Sequence, residues 1–236
     1  MSATSIGLDT SLEKMASAVA GQRIPRDCLL GLGSGSTVAR FAKALGERNR
    51  SEKLHVSVVP SSMQAWLLAK ENGLGFYEDI AHCPASVDVA VDGADQVSTK
   101  TRSMIKGGGG ALFKEKIILS SAKQVFILAD KDKFVPDLRR SVPVEVSQFA
   151  LLTVEKQIRA AVPGSEPMLR RLDKGYPFYT ETGNVILDCL TKEPISEPRS
   201  MERLLKTIPG VVEVGVFNCS VDAFYKANHD GTFESL

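Results

Sequence analysis

Lys106 is followed by four consecutive glycines, Gly107 to Gly110, and Glu115 stands five residues past the last of them. Glycine loses more backbone entropy on folding than any other residue, so four in a row mark a backbone that comes very close to a ligand. The flanking lysine and glutamate supply a cation and a base. Lys106 can neutralise a developing oxyanion, or it can be a solvated loop lysine. Glu115, early in a helical pattern, can serve as general base, or it can simply complement a helix N-terminus.

Two further clusters carry related chemistry. Gly31-Leu32-Gly33-Ser34-Gly35-Ser36-Thr37 is a strand-to-helix turn of glycines and hydroxyls. Its amides and the helix N-terminus behind it can hold a phosphate or another oxyanion, or it can be a tight turn with Ser/Thr caps. It lacks the GK[ST] ending of a P-loop, and Ser36 occupies the third glycine position of a dinucleotide fingerprint. Asp92 and Asp95 flank Gly93-Ala94. Two carboxylates at a strand end can titrate apart, so that one donates a proton, although Asp and Gly also favour plain turns. Lys133, three residues past Asp130, is a candidate phosphate ligand. His55, His82 and His229 show no partners, and Trp66 reads as a core residue.

The elements that must position these groups are legible as periodicity. Cys28–Gly33, His55–Pro60, Val87–Asp92 and Gln124–Asp130 are near-continuously apolar, as strands are when helices cover both sheet faces. Helical patterns at Thr37–Leu45 (with caps expected at Ser34 and Ser36), Gln64–Asn72 and Ala111–Ser121 alternate with them. The alternation predicts a Rossmann-like, doubly wound, mostly parallel α/β sheet. Ligands of such sheets sit beyond the carboxyl ends of the strands, where the polar clusters fall. From about Arg139 the pattern becomes Val142–Val146 strand, Thr153–Ala161 helix, Met168–Leu172 and Val185–Leu190 strands, Ser200–Ile208 helix and Val211–Phe217 strand. That βαββαβ order is the split βαβ, ferredoxin-like arrangement. The expected division is a catalytic domain of residues 1–138 plus 212–236 and a small α+β domain of residues 139–211, with 212–217 returning to the main sheet.

Bulk composition narrows the function. The 236 residues carry a formal net charge of +1, so no basic field recruits nucleic acid. The cysteines at 28, 83, 189 and 219 are widely spaced, with no CxxC and no histidine cluster. They read as reduced, mostly buried thiols of a cytoplasmic protein, and structural zinc is not expected. Met1–Leu12 lacks the pattern of a signal peptide, and no apolar run approaches the roughly 20 residues that cross a bilayer.

The motif set resembles ribose-5-phosphate isomerase of the A type. Gly31–Thr37, Asp92–Asp95, Lys106–Gly109 and Glu115-Lys116 match, in order and spacing, that family's GxG[TS]GST, DGAD, KGGG and EK segments. Pro143–Val146, Gly183–Asp188 and Ile208–Val212 extend the likeness over nearly the whole chain. The resemblance implies reversible conversion of D-ribose 5-phosphate to D-ribulose 5-phosphate through a cis-enediol(ate), in the non-oxidative pentose phosphate pathway, with no metal or organic cofactor. Glu115 is then the proton acceptor, Asp92 assists ring opening or handles hydroxyl protons, and Lys106 with Gly107, Gly108 and Gly109 holds the enediolate oxygens. Ser34, Gly35, Ser36 and Thr37 bind substrate, as do Gly93, Ala94, Asp95 and Lys133, and Lys14 is a looser phosphate candidate. Dimers or tetramers are implied, without nucleic-acid or membrane partners. Gln96 stands where the family usually has glutamate, Ser34 where threonine is common, and Lys114 where arginine often is. Two other readings share the fold: a CoA-transferase-like enzyme with a glutamate nucleophile, and a non-enzymatic sugar-phosphate sensor.

Overall fold

The computed structural model describes residues 3–79 and 82–236, with side chains from Ile6 onward. The chain begins with α1 (Ala3–Gln22), then alternates β1 (Leu29–Leu32), α2 (Ser36–Glu52), β2 (Ser57–Pro60), α3 (Met63–Glu71), β3 (Gly75–Phe76) and β4 (Val87–Gly93). β5 (Gln96–Ser98) and β6 (Met104–Ile105) follow, then α4 (Leu112–Ser121) and β7 (Ala122–Asp130). Next come β8 (Phe134–Val135), β9 (Val142–Val146), α5 (Leu151–Ala161), β10 (Glu166–Leu169), β11 (Val185–Leu190), α6 (Pro198–Lys206), β12 (Val211–Val214) and β13 (Val216–Phe217). β14 (Ala223–Ala227) and β15 (Phe233–Ser235) close the chain.

Two compact units result, one of residues 1–93, 114–132 and 220–236, the other of 94–113 and 133–219. The first holds a seven-stranded sheet of order β15-β14-β7-β4-β1-β2-β3. It is parallel except for β15 at its edge. Leu30, Leu32, Val58, Val89, Val91, Phe126 and Leu128 are among the strand residues in its core. α2 adds Val38, Phe41, Ala42 and Leu45 at helical spacing, all fully buried. Each such large apolar side chain contributes about 1.5–3 kcal/mol of burial. Strand order reverses at β1, with β2 on one side and β4 on the other, so the β1/β4 crevice is the topological switch point where this fold holds ligands.

The second unit holds two sheets. The first, β10-β11-β9-β12, is antiparallel throughout and realises the split βαβ. Glu145 of β9 is fully buried, and its Oε1 accepts from Thr180 Oγ1 at 2.9 Å, Asn184 Nδ2 at 2.9 Å and Thr182 Oγ1, pinning the turn that leads into β11. The other sheet, β13-β6-β5-β8, is small.

The structure departs from the sequence reading in several places. The expected strand 211–217 is two strands in two sheets: β12 pairs with β9, and β13 pairs with β6. The break is Gly215, where a Cβ would lie 2.4 Å from the Lys106 carbonyl oxygen. The chain rejoins the main sheet at β14 instead. Residues 94–113, 133–138 and 212–219 accordingly belong to the second unit, because β5, β6, β8 and β13 pair only with one another. The cap of α2 is Gly35 with no side-chain cap bond, not Ser34 or Ser36. Trp66 is half-buried and stacks on Phe76 at 5.5 Å.

Candidate active site

In the first unit, parallel pairing sets Leu32 of β1 beside Val91 of β4, so the residues that follow each strand arrive side by side. The Gly33 amide donates to the Val91 carbonyl at 2.9 Å. Asp92 is only 2% exposed, and its Oδ1 accepts from the Ser34 amide at 3.3 Å and the Gly93 amide at 2.7 Å. The Ser34 hydroxyl shares hydrogen bonds with Ser61 Oγ at 3.1 Å and Ser62 Oγ at 2.6 Å, while Ser62 caps α3. Gly35 has φ of 99° and ψ of 174°, a conformation reserved for glycine. Its amide donates to Gln64 Oε1 at 3.0 Å. Thr37 is buried and Ser36 exposed at the first turn of α2. The predicted turn and Asp92 thus form one hydrogen-bonded group at the switch point. Ser61, Ser62 and Gln64 join it. Glu115 sits in the first turn of α4 and is 6% exposed.

In the second unit, the Asp95 amide donates to the Ile105 carbonyl at 2.9 Å, and Asp95 Oδ2 accepts from the Gly108 amide at 2.7 Å. A Cβ on residue 108 would stand 2.9 Å from Asp95 Oδ1, so a side chain here would press on the protein's own carboxylate. Gly110 closes the turn by donating to the Gly107 carbonyl at 3.0 Å with φ of 83°, and a Cβ there would meet the Phe178 ring at 2.5 Å. Lys106 is 3% exposed; its Nζ lies 5.6 Å from the centre of the Phe217 ring. Ala94 is buried, and Lys133 is half-buried at the end of a 3₁₀ turn, Lys131–Lys133. Asp95 and Gly108 also line a cleft of about 460 Å³ with Arg139, Arg140, Arg170 and Asp188.

Gln96 does not act as a missing charge. It is buried, and its Oε1 accepts from the amides of Arg139 at 2.6 Å and Arg140 at 3.0 Å. A side-chain oxygen is what this position needs, and glutamine supplies one. Each histidine pairs with a carboxylate: His229 with Asp132 at 2.9 Å, His82 with Asp79 at 2.8 Å and His55 with Asp27 at 3.4 Å. Lys14 donates to the Gly231 carbonyl at 3.0 Å. Two cysteines, Cys28 and Cys189, are buried, and burial pushes both thiols up to about 12. Cys83 is exposed and Cys219 half-buried, so only half of the thiols are buried.

Asp92, Lys106 and Glu115 are three ionisable side chains at or below 6% exposure. Charged groups are almost never that buried without a purpose or a partner. In the first unit these are one carboxylate on a helix's first turn and another at the sheet's switch point; in the second, a lysine opens the glycine turn. Carboxylates are the side chains of proton transfer, and a lysine is one that can hold an oxyanion. Among the described residues no cluster of three or more His, Cys, Asp or Glu could hold a metal ion. A family model for ribose 5-phosphate isomerase A (phosphoriboisomerase A) matches residues 57–231, and the chain belongs to that family. Among its relatives is ribose-5-phosphate isomerase A of Methanosarcina acetivorans, 39% identical over 97% of this chain and 95% of the relative. The solved structure of ribose 5-phosphate isomerase A from Methanocaldococcus jannaschii superposes with a TM-score of 0.87 at 33% identity, covering 97% of this chain and 98% of that one. A D-ribose-5-phosphate isomerase solved in complex with phospho-erythronic acid gives 0.86 at 35% identity, over 95% and 97%.

Proposed function

We propose that this chain interconverts D-ribose 5-phosphate and D-ribulose 5-phosphate through a cis-enediolate, in the non-oxidative pentose phosphate pathway. The observation that carries the assignment is the burial of Glu115, Asp92 and Lys106 in a chain that is a member of this isomerase family over most of its length. Full-length likeness to isomerases does not favour a CoA-transferase-like enzyme or a sugar-phosphate sensor. Phospho-erythronic acid, with which one structural relative was solved, is a phosphorylated sugar acid, of the same chemical class as a pentose phosphate.

The chemistry runs on this chain's own groups. Asp92 assists ring opening. Glu115 takes the C2 proton of the open aldose, and electrons move onto the C1 carbonyl oxygen. Lys106 and the amides of the glycine turn hold the resulting negative charge. The O2 proton passes to O1, and Glu115 returns its proton to C1 as the C2 carbonyl forms. Asp95, fixed by the Gly108 amide, takes sugar hydroxyls. The Ser34–Thr37 turn, the α2 N-terminus and Lys133 take the phosphate, whose binding energy aligns the reacting carbons. The purified chain is expected to turn over ribose 5-phosphate, in EDTA as without it, and to leave glucosamine 6-phosphate unchanged. Absence of ketose formation, or a loss in EDTA restored by a metal, overturns the proposal.

Association into dimers or tetramers is part of the same reading. Phe149 is 102% exposed and Leu152 77%, and Met168, Tyr176 and Tyr179 of the same unit are also exposed. Large apolar groups left in water favour self-association. Sedimentation is expected to give a dimer or tetramer that Phe149→Glu with Leu152→Glu weakens; a wild-type monomer at micromolar concentration would refute it. A cytoplasmic location fits four cysteines in no disulfide. No helix among the described residues is long and apolar enough to cross a membrane.

A further inference from the structure

We propose that Arg170, braced by Asp188, is the positioning residue for the Gly107–Gly110 turn, an inference that rests on the isomerase reading above. Arg170 follows β10, and the antiparallel register sets Asp188 of β11 opposite Met168, two residues earlier on the same sheet face. Its Nε and Nη2 donate to the two oxygens of Asp188 at 2.8 and 2.6 Å. Its Nη1 donates to the carbonyls of Gly107 at 2.9 Å and Gly108 at 3.0 Å. The guanidinium also lies 5.7 Å from the centre of the Phe178 ring, the same ring that leaves no room for a Cβ at residue 110. The Arg170 side chain is 15% exposed, so these charge-assisted bonds are shielded from water.

The consequence follows from peptide planarity. A carbonyl and the amide of the next residue share one rigid plane and point opposite ways. By gripping the Gly107 and Gly108 carbonyls, Arg170 aims the Gly108 and Gly109 amides away from itself. The first of these donates to Asp95 Oδ2. Asp188, Arg170, the Gly107–Gly108 peptide and Asp95 form one continuous hydrogen-bonded run, in which a cation on the carbonyl side makes the amide a better donor. Four glycines in succession have no side chains to hold their own conformation, so an external brace decides where the amides point. Lysine cannot replace it, because one ammonium lacks the planar fork that serves a carboxylate and two carbonyls at once.

The test compares the wild-type chain with Arg170→Ala and Arg170→Lys, measuring kcat and KM for ribose 5-phosphate, affinity for phospho-erythronic acid, and melting temperature. A misplaced oxyanion donor costs on the order of 10- to 100-fold in rate. Arg170→Ala is expected to lose kcat by that factor with KM within about threefold, and to weaken phospho-erythronic acid by a comparable factor. Millimolar guanidinium restores part of the rate. Arg170→Lys loses kcat by about tenfold or more, and it decides the matter if the alanine variant fails to fold. A lysine variant with wild-type kcat, a loss confined to KM, or unchanged affinity for phospho-erythronic acid overturns the inference. A wild-type chain inactive on ribose 5-phosphate overturns the isomerase reading, and this inference with it. An active wild type with unaffected variants overturns only the inference.

Discussion

Glu115→Gln is expected to lower kcat for ribose 5-phosphate by about 10²–10⁴-fold, the range that a positioned general base contributes, while KM stays within a few-fold. The amide keeps the size and the hydrogen-bonding reach of the carboxylate but cannot accept the C2 proton. Removing a group that acts only in the transition state lowers kcat and kcat/KM together. Melting temperature is read beside kcat, so that loss of the base is told apart from loss of packing at this buried position in the first turn of α4. Exchange of the C2 hydrogen with deuterium oxide gives an independent readout, because it requires the base and not the later steps. A glutamine variant with near-wild-type turnover and exchange would remove Glu115 from the role of base. Glu115→Asp, which withdraws the carboxylate by one methylene, should also fall by about 10²-fold through misplacement alone.

Much of this architecture was legible because it rests on local pattern. β1, β2, β4 and β7 are unbroken apolar runs, and the structure begins or ends them within two residues of the predicted bounds. The split βαβ could be counted off in order. α1 had no such signal: it buries mostly small or unremarkable residues, such as Ser11, Ala16 and Ala20 beside Met15 and Val19, so no apolar stripe stands out. The split of 211–217 into two strands was hidden because its cause, the Lys106 carbonyl against Gly215, lies over a hundred residues away. The candidate site divides the same way. Its clusters are contiguous motifs and could be found by spacing. Arg170 and Asp188 are eighteen residues apart and meet only through the β10–β11 register, as His229 meets Asp132 and His55 meets Asp27 only through folding. The meaning of the glycines changed most. Side chains at Gly108 and Gly110 would press on Asp95 and Phe178, so the run serves the turn's own construction as well as any ligand.

Gly33→Ala is expected to abolish most activity through Asp92. An alanine methyl would stand 1.9 Å from Asp92 Oδ1, 2.1 Å from Cγ and 2.7 Å from Cβ, overlaps that no small adjustment relieves. The backbone has little room to yield, since the Gly33 amide is tied to the Val91 carbonyl and β1 pairs with both β2 and β4. Asp92 must therefore move as a whole, its carboxylate leaving the Ser34 amide. Overpacking of this kind costs about 1–3 kcal/mol, or roughly 3–10 °C in melting temperature for a chain of this size. The rate should fall at least about 100-fold, as for any reacting group displaced by an ångström or more. A double-mutant cycle separates the cause from general strain. In an Asp92→Gly background the whole side chain is gone, so Gly33→Ala should cost little further stability and no further activity. An equal stability cost in both backgrounds would mean that the methyl disturbs the β1/β4 crevice itself rather than Asp92.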